Sequence, residues 1–113
     1  MAKPINTSQV KLRRLHIKVD GSAATPVASG VDKFLIESID KLGAGNHKIN
    51  LTGKAKARNA NVLDVISIVP IGADASFHVV ATTDDSVTIL LSADVDFGIE
   101  IQANDNRFLT NFN

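Results

Sequence analysis

The residues of this chain whose types suit them to chemistry are three histidines, a glycine-rich run ending in His-Lys, and a short acidic stretch. Gly43-Ala44-Gly45-Asn46-His47-Lys48 offers small residues that let backbone amides converge, followed by cationic side chains, as a phosphate cradle requires. It lacks the Gly-Lys-Ser/Thr of a P-loop, does not fit GxGxxG, and has no helix after it to add an N-terminal dipole. The favoured reading is the turn of a hairpin, because Gly43 and Gly45 can take positive φ without cost and Asn46 tolerates it. His16, His47 and His78 fall on three separate predicted strands, with no HxxxH or HExxH spacing to bring two of them to one metal. Asp94, Asp96 and Glu100 suggest a calcium loop, but the EF-hand ligand order and its glycine are missing. There is no GxSxG, and no serine lies beside a plausible base. The expectation is a protein that is not an enzyme and uses no cofactor or metal.

At 113 residues the chain is one domain, long enough to bury roughly two-thirds of its unfolded surface. Apolar runs are too short for a membrane-spanning helix, and residues 1–9 lack the apolar core of a secretory signal. With no cysteine there is neither a disulfide framework nor thiolate chemistry, which fits a reducing compartment. The aromatic residues are five Phe with no Trp or Tyr, so the usual stacking residues of sugar-binding surfaces are missing.

Formal net charge is zero but unevenly spread. Residues 1–58 carry 11 Lys and Arg against 4 Asp and Glu, whereas residues 59–113 carry 1 against 8. Either an antiparallel fold interleaves the halves and cancels them, or the molecule is strongly dipolar and favours charged partners. The basic run Lys11 to Lys18 has no interleaved aromatics, so a solvated strand face is preferred to a nucleic-acid patch. Neither nucleic acid nor membrane is an expected partner.

These residues must be positioned by strands. From Val10 to Asp20, Leu15, Ile17 and Val19 alternate with Arg14, His16, Lys18 and Asp20, the pattern of a half-buried strand. Residues 21–30 are small, with glycine at both ends and Pro26 inside, and read as loop. Residues 31–42 are ambiguous. Val31, Phe34, Leu35, Ile39 and Leu42 match one helix face, with Ser29 as a cap and Gly43 at the C-terminal stop, but Ile36 falls on the wrong face. His47, Ile49 and Leu51 alternate plainly. Residues 53–61 are small and basic, a loop or weak edge strand with poor burial potential.

Val62 to Val69 reads as a strand stopped by Pro70, and Phe77 to Ala81, Ser86 to Ser92 and Phe97 to Ala103 are three more. Seven strands, or eight with residues 53–61, separated by turns, predict an all-β, jelly-roll-like antiparallel sandwich. It would span residues 10–103, between an N-terminal arm (1–9) and a C-terminal tail (104–113). The tail is amide-rich yet carries Phe108, Leu109 and Phe112, which must pack on the chain's own body or dock on another subunit.

The run Ser38 to Leu51 (SIDKLGAGNHKINL), with Ser86 to Leu91 (SVTILL) and Asp94 to Ile101 (DVDFGIEI), resembles small all-β virion proteins of tailed bacteriophages. It is most like the capsid decoration, cement or staple proteins of short-tailed phages. His47 departs from that pattern, standing where the group often has an aromatic. The resemblance implies a strand from Phe34 to Lys41. It also implies a structural protein on the virion surface, made in the host cytoplasm, that binds the outside of the capsid and stabilises contacts between major capsid subunits. Copies of the chain itself, as dimer or trimer, are further expected partners. Contact residues would be Lys3, Pro4 and Ile5 of the arm and Arg107, Phe108, Leu109 and Phe112 of the tail, by strand addition or aromatic anchoring. The alternative is a head-fibre or tail module that binds a host-surface glycan or protein.

Overall fold

The computed structural model describes residues 11–53, 55 and 62–105, and side chains within 14–103 of these. The chain forms β1 (Lys11–Val19), β2 (Ala28–Ser29), β3 (Ile36–Gly43), β4 (Asn46–Leu51), β5 (Leu63–Ile71), β6 (Phe77–Thr82), β7 (Ser86–Leu91) and β8 (Asp96–Asp105). Two four-stranded antiparallel sheets, ordered β2-β1-β8-β5 and β3-β4-β7-β6, pack as a sandwich. The expected all-β fold is what forms. Its winding is nested: β1 pairs with β8 in one sheet, and β4 pairs with β7 in the other.

Alternation in sequence accounts for the core. Leu15, Ile17 and Val19 of β1 lie opposite Ile101, Ile99 and Phe97 of β8, and all six are buried. They face Ile49 and Leu51 of β4 and Val87, Ile89 and Leu91 of β7. Phe97 is the largest fully buried side chain, worth about 2–3 kcal/mol relative to exposure.

The charge asymmetry cancels locally, because basic β1 lies on acidic β8. On the outer face Arg14 Nη1 and His16 Nε2 stand 3.4 and 3.3 Å from Glu100 Oε2, and Arg14 Nε donates to Gln102 Oε1 at 2.9 Å. Such exposed pairs contribute about 0–1 kcal/mol each, so they align the strands more than they stabilise them.

The ambiguous segment is mostly extended. Lys33–Leu35 makes one 3-10 turn and β3 begins at Ile36, so Phe34 and Leu35 are not in the strand implied by the resemblance. Ile36 and Ile39 pack against the core, which explains why Ile36 did not suit a helix face. Ser29 lies in β2 and caps no helix. Asp32 instead accepts the His16 amide at 2.8 Å, satisfying an edge group of β1.

Three further expectations are corrected. Pro70 does not stop β5, which runs on to Ile71; β5 is an edge strand, where a missing amide donor breaks no interior ladder. Residues 28–29, read as loop, form the short β2, so that the described residues hold eight strands, while the edge strand considered for residues 53–61 falls mostly outside the described residues. Ala55 is fully buried, contrary to the poor burial expected of that stretch.

Candidate functional site

The contact residues expected from sequence, Lys3, Pro4, Ile5, Arg107, Phe108, Leu109 and Phe112, lie outside the described residues. What the structure gives is where their segments join the body. Lys11 is registered directly opposite Asp105, the first and last residues of β1 and β8. Ladder partners sit about 5 Å apart, so both segments attach at one point on one end of the central strand pair.

At the other end of β1 and β8, three connections converge: Asp20 to Val27, the β3–β4 turn, and Ser92 to Val95. The turn is a two-residue hairpin of Ala44 and Gly45, with Gly43 paired to Asn46. Only Gly45 of the two glycines has positive φ, at 72°. A Cβ on Gly45 would also strike the Leu91 carbonyl, so glycine is required there twice over. Conformational freedom at Gly43 is not used.

A bulge sets the chemistry of this end. Pairing slips between Lys41 and Gly43, so Lys41 lies opposite His47 and Leu42 is left over. Without the slip Leu42 would oppose His47 and face inward, with Lys41 pointing to solvent. Instead Leu42 is exposed, and only 16% of the Lys41 side chain is accessible. The Lys41 ammonium donates to the Ala23 carbonyl at 3.0 Å and pairs with Asp94 at 2.9 Å. The Gly45 amide also donates to Asp94. One side chain from β3 therefore ties all three connections together.

The Lys41 hydrogen bond, helped by the charge of that ammonium and by the Gly45 amide, holds the Asp94 carboxyl below its usual range, although loss of hydration opposes them. Asp96 is held low by the Ser22 hydroxyl, which donates at 2.7 Å, and by the Ser22 amide at 3.1 Å.

Beneath this layer lies His47, with no solvent-accessible surface. Its ring is tilted 48° against Phe97 at a centroid distance of 5.3 Å, and neither ring nitrogen has a hydrogen-bond partner among the described residues. Burial, and then Lys41, lower its pKa from the ordinary 6.5, while Asp94 partly opposes them. The imidazole is held neutral.

The other sequence-level constellations do not assemble. His16 is on the outer face of β1, His47 is in the core and His78 is exposed on β6. Asp94 turns to Lys41, Asp96 to Ser22 and Glu100 to Arg14, so the three carboxylates share no site. Among the described residues no group of three His, Asp or Glu is placed to hold a metal ion. A shallow groove of about 360 Å³ lies between β2 and β3, lined by Pro26, Val27, Phe34, Ile36 and Ile39 among others, with Phe34 71% exposed at its lip.

Sequence reasoning singled out Asp94 only as a calcium ligand and missed Lys41 and the pairing of the two, because the bulge is not written in the alternation. The register of a two-residue hairpin, counted outward from Ala44-Gly45, brings position 41 within one step of His47 and was the available signal. Comparison of the chain with protein-family models, with curated proteins and with solved structures gives no match.

Proposed function

We propose that this chain is a non-enzymatic structural protein of a bacteriophage virion, binding the outside of the capsid and stabilising contacts between major capsid subunits. The observation that carries the reading is the register of Lys11 against Asp105. The two ends of the described sandwich thus lie side by side, and Lys3, Pro4 and Ile5 precede the one in sequence while Arg107, Phe108, Leu109 and Phe112 follow the other. The strand-and-turn resemblance to decoration and staple proteins supplies the class of partner.

The mechanism is linkage. A protein that binds only the assembled shell stabilises it by RT ln(1 + [L]/Kd) at each site, and repetition over many sites makes modest contacts effective. Strand addition would supply backbone hydrogen bonds, and the Phe side chains would anchor in pockets.

The test is co-sedimentation with isolated shells of the full chain and of a chain ending at Asp105, which keeps β8 whole. The full chain should bind at a copy number comparable to that of the major capsid protein, and the shortened chain should stay folded and bind poorly. Equal binding by both would remove the tail from the contact. Binding to host glycans or host-surface protein without affinity for shells would replace the capsid reading by the fibre or tail one.

A further inference from the structure

A sandwich core ordinarily excludes a polar ring whose hydrogen-bonding atoms have no partners. One nitrogen of a neutral imidazole is a donor and the other an acceptor, and leaving both unpaired in a buried site carries a desolvation cost. His47 has that arrangement, and its place is strategic. Its ring lies under Gly21, where even a Cβ would approach Nε2 to 3.1 Å, and beside the Phe97 ring. We propose that His47 makes this end of the sandwich an acid-sensitive latch: the neutral ring lets the connections around Gly21, Gly45 and Asp94 pack closed, and a proton on it opens them.

The surrounding charges set the direction. From β3, Lys41 stands directly opposite and repels an imidazolium. From the β7–β8 connection, Asp94 attracts one, but its carboxylate is already engaged by the Lys41 ammonium and the Gly45 amide. On β7 the residue paired with His47 is Ile89, which is apolar. On β8 the neighbour is Phe97, and the carboxylate next to it, Asp96, is taken by Ser22. The β1–β2 connection brings Gly21, and its Asp20 carboxylate accepts the Val27 amide. A charged His47 thus meets a cation and apolar surfaces, and reaches water only by displacing the covering connections.

The ring's pKa lies below the ordinary 6.5 when closed, and opening restores water to it. Between these values the open form takes up a proton that the closed form does not, so opening becomes easier by up to about tenfold per pH unit of acidification. Closure is fully favoured above the ordinary value and is lost as pH falls through the closed-state value. This device is independent of capsid binding.

Amide hydrogen exchange on the full chain tests it, from about pH 7.5 to about pH 5, corrected for the intrinsic pH dependence of exchange. The reporting amides are Ala23, bonded to the Asp20 carbonyl, and Leu91, bonded to that of Gly45. Thr52, bonded to Leu35, and Leu63, bonded to Thr83, report on the far end. Protection at Ala23 and Leu91 should fall about tenfold per pH unit below the ordinary histidine range while Thr52 and Leu63 hold, and His47→Gln should abolish that response.

Should His47→Gln fail to fold, NMR titration of the three histidine rings in the unaltered chain decides. His47 should stay neutral until the pH at which Ala23 protection is lost. The proposal is overturned if His47 titrates with no loss of loop protection, if both ends lose protection together, or if His47→Gln keeps the acid response.

Discussion

The Lys41 ammonium meets the Asp94 carboxylate at 2.9 Å, a residue from a strand bulge gripping one from a turn in the other half of the chain. Because Lys41 also takes the Ala23 carbonyl, removing its charge frees two connections at once. Lys41→Met keeps the stem that covers His47 and deletes the donors. Loss of the charged hydrogen bond to Ala23 should cost about 1.5 kcal/mol in denaturant unfolding, with faster exchange at the Ala23 amide. A variant as stable as the parent would mean that solvent serves the carbonyl equally well.

Leu42 makes the opposite case. It would be assigned to a core by its type, yet the bulge turns it out to 58% exposure. Leu42→Ser should change stability by no more than about 0.5 kcal/mol. Leu91→Ala, a truncation of a buried side chain, should cost about 2–5 kcal/mol. Equal losses from the two substitutions would show that the bulge does not hold in solution.

What sequence made legible was whatever a two-residue period controls. Leu15, Ile17 and Val19, and Ile49 and Leu51, point inward as their alternation requires. Where a residue is added or dropped from a ladder, alternation is silent, and the Lys41 contacts at the loop end depend on such a place. The slip at Leu42 decides that Lys41 faces Asp94. His47 shares a face with Ile49 and Leu51 by alternation, but what closes over its ring is Gly21 and Phe97, which are remote in sequence. The turn at Lys33–Leu35 was hidden for a related reason: a three-residue 3-10 turn is too short to show a period.

Gly21 should be intolerant of any side chain. A Cβ there would lie 2.5 Å from the Val95 carbonyl oxygen and 2.9 Å from the Phe97 ring, neither of which can move without disturbing the core. Gly21→Ala should therefore cost about 1–3 kcal/mol. Gly53, where a Cβ would meet nothing within 4 Å among the described residues, is the matched control, and Gly53→Ala should be neutral or slightly stabilising. Thermal melts of the two variants provide the comparison.

Asp94 and Asp96 impose a second pH dependence, separate from that of His47. Hydrogen bonds from Lys41 and Ser22 hold both carboxyls below the ordinary 3.8 in the folded chain, so the unfolded chain binds their protons first. The stability they contribute is complete above that value and is lost as pH falls through the lower folded values. Asp96→Asn keeps an oxygen to accept from the Ser22 hydroxyl and amide but removes the titrating charge. Melting temperatures followed from about pH 6 to about pH 2 should then fall less steeply in the acid limb than those of the parent, while any change near the histidine range persists. An acid limb of undiminished slope would assign that loss of stability to carboxylates other than Asp96.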